Sequence, residues 1–118
     1  DLSFKKHINL WNNNGEYLLG LIVARNKLYT AYEMDFSTNG KCKIDVTDIN
    51  TNEWIKSINI SMGGSQCLAY SQSLNKIFAP SYAEGNIYVI DPSSDSIIDT
   101  IKTRDTAVFT VIHVKDED

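Results

Sequence analysis

The chain alternates short runs of apolar residues with clusters of turn-forming residues. Two of these runs, residues 18–24 and 87–90, are nearly continuous, whereas a sheet with one solvated face alternates apolar and polar residues. Residues 53–58 do alternate. The pattern therefore predicts β-strands, with the continuous runs covered on both faces and the alternating run at an outer edge.

The sequence repeats itself at two fixed distances. Four positions recur 49 residues later, as the pairs Gly15/Gly64, Leu19/Leu68, Asn26/Asn75 and Lys27/Lys76. Four others recur 43 residues later, as the pairs Ile44/Ile87, Val46/Val89, Asp48/Asp91 and Ile55/Ile98. A constant distance across a segment indicates a repeated structural unit. The change from 49 to 43 predicts a loop insertion within residues 33–43.

Each repeated unit contains four strand-sized pieces separated by turn-forming residues. In the second unit these are residues 66–71, 76–82, 86–91 and 96–103, and in the first unit residues 27–32 correspond to 76–82. The connectors have the length of hairpin turns, and Pro92 suits the second position of a tight turn. Four antiparallel strands in every 43 to 49 residues are the pattern of a β-propeller blade. The predicted fold is all-β, built from antiparallel four-stranded β-propeller blades.

Residues 86–101 resemble the third and fourth strands of YVTN-type β-propeller repeats. In those repeats a "V-x-V-I-D" strand leads through a polar turn to a "V-x-x-T-I" strand, and the chain reads Ile87-Tyr88-Val89-Ile90-Asp91 and Ile97-Ile98-Asp99-Thr100-Ile101. Residues 44–58 are a weaker copy. The tetrapeptide that names the family keeps only its aromatic residue here, as Tyr29 or Phe78, so WD-repeat and lactonase-like propellers stay open. The resemblance implies a scaffold that is frequent in extracytoplasmic proteins and is used for binding, more rarely for catalysis around a central channel.

The blade pattern extends beyond the two whole units. Residues 1–10 are predicted to end one blade, residues 15–60 and 64–103 to form two complete blades, and residues 107–114 to form the first strand of the next. We therefore expect a single partial propeller over residues 1–118. Because propellers close with about four to eight blades, the remaining blades are expected from other chains or from a longer parent protein.

Charge and hydropathy narrow the choice of partner. Fifteen acidic and eleven basic residues give a formal net charge of −4, and the scattered basic residues argue against a nucleic-acid surface. No stretch reaches the roughly 18 consecutive apolar residues of a membrane-spanning helix. We expect a protein partner, no nucleic acid and no membrane span. The family resemblance slightly favours an extracytoplasmic or secreted location.

One part of the insertion has the spacing of a calcium loop. Asp35, Ser37 and Asn39 place oxygen-bearing side chains at alternate positions before Gly40, as in D-x-[DN]-x-[DN]-G loops. However, the last ligand position of such a loop falls on Val46, where a bidentate Glu is expected. A plain Asn-Gly turn is the favoured interpretation, and calcium at Asp35, Ser37 and Asn39 is the alternative. No other cofactor is predicted.

Two aspartates and two histidines are further candidates for chemistry. Asp48 and Asp91 stand at matching places where a strand enters a turn, and a carboxylate there accepts hydrogen bonds from backbone N–H groups two residues on. We predict this structural role for both. His7 and His113 are the only histidines and are predicted to have no ligand role, although some propellers bind haem or metal through a histidine of an inner strand.

The cysteines point to no metal or redox site. Cys42 and Cys67 are the only two and lack the C-x-x-C spacing of a redox dithiol or zinc site. Two partly buried thiols are the favoured interpretation, and a disulfide between them is the alternative.

The favoured function is non-enzymatic: a binding or scaffold module that recognises a partner through loops and the rim of the channel. No catalytic residue is predicted, because the inner strands offer mainly Leu, Ile, Val, Cys and Thr. The alternative is a fragment of a propeller enzyme, lactonase-like or cofactor-binding, whose catalytic groups lie mostly outside this segment.

Overall fold

The computed structural model describes residues 16–34, 42–60, 67–81 and 84–103. Within them the chain forms strands and no helix. The first sheet contains β1 (Glu16–Ala24), β2 (Lys27–Met34), β3 (Cys42–Asp48) and β4 (Trp54–Ile60), and the second contains β5 (Ala69–Ser71), β6 (Lys76–Ser81), β7 (Asn86–Asp91) and β8 (Ser96–Lys102). In both sheets the strands lie in chain order, and neighbours are antiparallel. The predicted all-β architecture of antiparallel four-stranded sheets is confirmed.

The strands of the second sheet lie close to their predicted bounds. β7 has the bounds predicted for it, and β8 ends one residue earlier than expected. β6 runs from Lys76 to Ser81 as predicted, and the last residue predicted for it, residue 82, lies outside the described residues. β5 is shorter than predicted, because Cys67 and Leu68 precede its first strand residue. Short apolar runs between turn residues were therefore sufficient to place these strands.

The segment predicted to hold the insertion, residues 33–43, begins and ends in paired strands, as a long hairpin does. β2 continues to Met34 and β3 begins at Cys42, and Glu33 pairs with Cys42. The ladder extends this far because Cys42 is buried and also pairs with Ile60 of β4. Residues 35–41 between the two strands lie outside the described residues.

The turns that end the third strand of each sheet have the same backbone conformation. Asn52 and Asp95 have positive φ angles of 62° and 52°. Each donates its N–H to the carbonyl oxygen four residues earlier, at 2.9 Å to Asp48 and 2.8 Å to Asp91. Asn and Asp tolerate this left-handed region better than other side chains. The sequence distance of 43 between the two residues is also the repeat distance.

A β-bulge follows each of these turns. The pairing of β3 with β4 shifts between Val46 and Thr47, and that of β7 with β8 shifts between Val89 and Ile90. The shifts leave Ile55 and Ile98 as the extra residues of β4 and β8, and both side chains are exposed. The bulges therefore present an apolar residue to solvent at the same place in each sheet.

The hydrophobic core lies between the two sheets. Side chains from both sheets form one buried cluster, consisting of Ala24, Tyr29, Ala31, Cys42, Ile44, Val46, Ile58, Ile60, Leu68, Ile77, Ala79 and Ile90. Because side chains alternate along a strand, the remaining residues of each strand lie on the opposite faces. We call these the outer faces: that of the first sheet carries Leu28, Thr30 and Tyr32 of β2, and that of the second carries Phe78 of β6 and Val89 of β7.

The expectation that residues 18–24 are covered on both faces is wrong. Leu18, Leu21 and Val23 of β1 are 47%, 56% and 53% exposed. They pair with the outer-face residues of β2, so all three lie on the outer face of the first sheet. The second sheet covers only the other side of β1, where Ala24 is buried.

The alternating strands occupy edges, as predicted. β4 forms one edge of the first sheet, with Trp54 and Asn59 exposed and Ile58 and Ile60 buried. β8 forms the corresponding edge of the second sheet. The predicted blade ends at residues 1–10 and 107–114 lie outside the described residues.

Candidate functional site

A polar cluster joins the two sheets at the end where the β1–β2 turn meets the β7–β8 turn. Lys27 Nζ lies 2.6 Å from Asp95 Oδ2, and Tyr29 Oη donates to Asp95 Oδ1 at 2.5 Å. Lys27 Nζ also donates to the carbonyl oxygen of Pro92 at 3.0 Å. Each carboxylate oxygen of Asp95 therefore has its own donor from the first sheet. We call Lys27, Tyr29 and Asp95 the polar joint.

Local backbone geometry places the three side chains of the polar joint. Lys27 and Tyr29 are two residues apart in β2, so their side chains leave the strand on the same side, towards the second sheet. Asp95 is the last residue of the β7–β8 turn and has a positive φ. The tight turn therefore holds the Asp95 carboxylate at the margin of the second sheet, within reach of β2.

Two members of the polar joint are buried, and this burial acts on the Tyr29 phenol. Tyr29 is fully buried and Asp95 is 6% exposed. Burial of the ring, together with the hydrogen bond to Asp95, raises the pKa of Tyr29 above its ordinary value of about 10. Tyr29 therefore keeps its proton at neutral pH and acts as a hydrogen-bond donor. A buried carboxylate needs such donors. The three residues therefore have a structural role, which is to hold the two sheets together.

A shallow hollow of about 270 Å³ lies beside the polar joint and is lined by Arg25, Lys27, Pro92 and Ser93. Arg25 Nη1 donates to Ser93 Oγ at 2.9 Å, and Asn75 Nδ2 donates to the same oxygen at 3.3 Å. Both cations of the hollow are thus bound to groups of the second sheet. The hollow extends the contact between the two turns.

The predicted turn-stabilising role of Asp48 and Asp91 is confirmed. Asp48 Oδ1 accepts the N–H groups of Asn50 at 2.7 Å and Thr51 at 3.1 Å. Asp91 Oδ1 accepts the N–H of Ser93 at 2.9 Å. This backbone hydrogen bond lowers the pKa of Asp91, because it stabilises the charged form. Both carboxylates hold turns in shape.

A second polar cluster lies on the outer face of the first sheet. Lys43 Nζ lies 3.2 Å from Asp45 Oδ2, and Ser57 Oγ donates to Asp45 Oδ1. The Lys43 ammonium also lies 5.5 Å from the centre of the Tyr32 ring, within the range of a cation–π interaction. The Lys43 ammonium and the Asp45 carboxylate therefore neutralise each other on this face.

Several candidates from the sequence lie where the structure does not describe the chain. Asp35, Ser37 and Asn39, the residues of the predicted calcium loop, are outside the described residues, as are His7 and His113. Both cysteines are described: Cys42 is buried, Cys67 is partly exposed, and both are thiols. Of the two alternatives for the cysteines, the structure has the thiols.

Sequence reasoning did not find the polar joint. Lys27 and Asp95 are 68 residues apart, and no local motif links them. One signal was present: Lys27 recurs as Lys76 at the repeat distance, and Asp95 stands where the other unit has Asn52. Polar residues at matching repeat positions were the sign that neighbouring units meet there.

The residues that the structure describes contain no group of three or more His, Cys, Asp or Glu side chains placed to hold a metal ion. Within the same part of the chain, no helix has the length and apolar character needed to cross a bilayer. No protein-family model matches the chain, and no curated protein matches it at a significant level.

Proposed function

We propose that this chain is a non-enzymatic interaction module built from two neighbouring blades of an incomplete β-propeller. The likeness of the two sheets supports this: both have the same strand order, and both have a bulge after the third strand. The turn residues Asn52 and Asp95 share a left-handed conformation at the repeat distance. Stacked four-stranded antiparallel sheets are the arrangement of propeller blades.

The observation that carries the proposal is an apolar strip on β1, defined as Leu18, Leu21 and Val23. The three side chains are each about half exposed and lie side by side on the outer face of the first sheet. Single exposed apolar residues are ordinary, whereas a contiguous group marks a surface that binds another protein. In a propeller the first strand of a blade is the innermost, so the strip belongs to the channel side.

The ionisable groups near the sheet junction support binding over catalysis. Asp95 is occupied by Lys27 and Tyr29, and Asp48 and Asp91 accept backbone N–H groups. A general acid or base needs to reach a substrate proton, and these carboxylates are engaged in holding the fold. No observation favours the alternative of a propeller enzyme.

The apolar strip can be tested by capture with matched variants. Immobilised wild-type chain is compared with Leu21→Glu and Val23→Glu, and with Leu74→Glu as control, since Leu74 is 61% exposed in a turn of the second sheet. Captured proteins are identified by mass spectrometry, purified and titrated. We expect a partner retained by wild type and Leu74→Glu whose Kd rises at least tenfold with either strip variant, as for loss of an interface anchor. Equal binding to all four chains would remove the strip as the interaction surface.

A further inference from the structure

We propose that the hollow where the β1–β2 turn meets the β7–β8 turn is a carboxylate-binding site, in which Arg25 and Ser93 hold an acidic side chain of a protein partner. The hollow has a volume of about 270 Å³, and both of these residues are exposed, so a side chain from outside can reach them. The carboxylate site follows from the geometry of the hollow. Its assignment to a protein partner rests on the proposed interaction function.

The Ser93 hydroxyl is a hydrogen-bond donor that has no acceptor among the described residues. Its oxygen accepts from Arg25 Nη1 at 2.9 Å and from Asn75 Nδ2 at 3.3 Å, which uses both lone pairs of the oxygen. The hydroxyl hydrogen therefore points away from these two groups, and no oxygen in the described part of the chain receives it. This donor is available to an acceptor that a ligand brings to the hollow.

The Arg25 guanidinium also has donors that the fold does not use. Within the described ranges only its Nη1 takes part in a hydrogen bond, the one to Ser93. The remaining N–H groups of a guanidinium form a planar fork that matches the two oxygens of a carboxylate, and such pairs are frequently bidentate. Arg25 and Ser93 therefore place an ionic donor and a hydroxyl donor side by side in the hollow.

The turn itself gives no reason for an arginine at position 25. Arg25 has a φ of 51°, in the left-handed region where the Cβ of a non-glycine residue crowds the backbone. The repeat places Leu74 at the matching position, 49 residues later, so the repeated unit does not require a cation there. Strained residues concentrate at binding sites, where the surrounding fold holds them in place. A ligand bound by the guanidinium accounts for the arginine in this turn.

The charges around the hollow suit a ligand with a single negative charge. Lys27 is paired with the buried Asp95 at 2.6 Å. Lys76 and Asp91 stand next to the paired residues of β6 and β7 and attract each other. Arg25 is the positive charge that remains. A carboxylate balances it, whereas a phosphate dianion would add a second negative charge beside the two aspartates.

The test is an NMR titration of the isotope-labelled chain with acetate, at an ionic strength kept constant with chloride. We expect the signals of the Arg25 Nε–H and the Ser93 amide to shift and to approach saturation as acetate rises to about 0.2 M, since a contact of a few hydrogen bonds has a millimolar Kd. Inorganic phosphate, titrated in the same way, is expected to bind roughly threefold more weakly than acetate.

Arg25→Asn separates binding from stability. Asn suits a left-handed turn position, so this variant is expected to be at least as stable as wild type and yet to bind acetate roughly tenfold more weakly or worse, because the charged donors are gone. Arg25→Lys keeps the charge without the fork and is expected to weaken binding by a smaller factor. Ser93→Ala removes the hydroxyl donor and is also expected to weaken binding. Lys102→Asn, which removes a cation at another exposed position, is the control and should bind like wild type.

Shifts that rise linearly with acetate, saturable binding that survives Arg25→Asn, or phosphate that binds more tightly than acetate would each overturn the carboxylate site. A purified partner with the same Kd for wild type and Arg25→Asn would overturn its assignment to that partner. The titration does not involve the apolar strip, so its failure leaves the proposed function in place. Acetate binding, together with capture that is unchanged by Leu21→Glu and Val23→Glu, would instead remove the proposed function and keep the site.

Discussion

At the scale of single residues, the polar joint shows how one buried side chain can stabilise one relative position of two sheets. Asp95 sits at 6% exposure with Lys27 and Tyr29 as donors. Left without donors, a buried carboxylate is costly. The polar joint therefore favours the arrangement of the second sheet beside the first that brings Asp95 to β2.

Tyr29→Phe is expected to lower the free energy of unfolding at neutral pH by about 1–3 kcal/mol, since a buried carboxylate oxygen loses its donor. Phe78, at the equivalent position of the second sheet, shows that a phenyl ring suits this place in the strand. Urea unfolding monitored by circular dichroism gives the difference. Tyr88→Phe is the matched control, because its hydroxyl donates to the exposed Glu84, and its loss should be smaller.

The raised pKa of Tyr29 also predicts how this difference changes with pH. Above a pH of about 10 the unfolded chain releases the phenol proton while the folded chain keeps it, so the wild type loses stability as pH rises. The Phe variant has no such proton at this position. The stability advantage of wild type over Tyr29→Phe is therefore full below that pH and should shrink above it. An advantage that stays constant or grows at alkaline pH would contradict the assigned environment of Tyr29.

At the scale of elements, the β1–β2 turn carries backbone strain. Arg25 and Asn26 have φ angles of 51° and 62°, as in the two-residue hairpin turns that favour Asn and Gly. Arg is a poor residue for this region, because its Cβ crowds the backbone. Arg25 is held there with its guanidinium on Ser93 of the second sheet. The turn is therefore locally strained, and the same residue that carries the strain makes a contact between the sheets.

Arg25→Asn is expected to raise the free energy of unfolding by roughly 0.5–1 kcal/mol, since relief of the left-handed strain exceeds the loss of one exposed hydrogen bond. Urea titration of the purified variant measures this. Ser93→Ala removes the hydroxyl that accepts from both Arg25 and Asn75 while Arg25 stays in the turn, and it is expected to cost a few tenths of a kcal/mol, since both hydrogen bonds are exposed. If Arg25→Asn proves less stable than Ser93→Ala, the contact outweighs the strain and the interpretation of the turn is wrong.

The same elements show how far the sequence could predict the structure. The strands were predictable because apolar runs end at turn residues, as at Asn75 and Pro92. The ends of β2 and β3 were not, since the ladder there is extended by burial of Cys42 against β4, a contact between distant residues. The half-exposed strip on β1 was not predictable either. A run of apolar residues has the same sequence pattern whether a partner sheet covers one side of the strand or both.

At the scale of the whole molecule, the two sheets share one core. Tyr29 and Ile44 of the first sheet and Ile77 and Ile90 of the second are all fully buried in a single cluster. The sheets should therefore unfold together, with the interface between them as the common source of stability.

Ile77→Ala tests this coupling. Removing the buried side chain leaves a cavity in the shared core and is expected to cost about 2–5 kcal/mol. If the sheets unfold as one unit, amide hydrogen exchange will show that protection falls by the same free energy in β3 of the first sheet as in β7 of the second. Ile98→Ala is the control, since Ile98 belongs to the second sheet but is 48% exposed at the bulge, and it should change protection little in either. Loss of protection confined to β7, with β3 unchanged, would mean that each sheet is stable by itself and that the core between them is not the joint determinant of the fold.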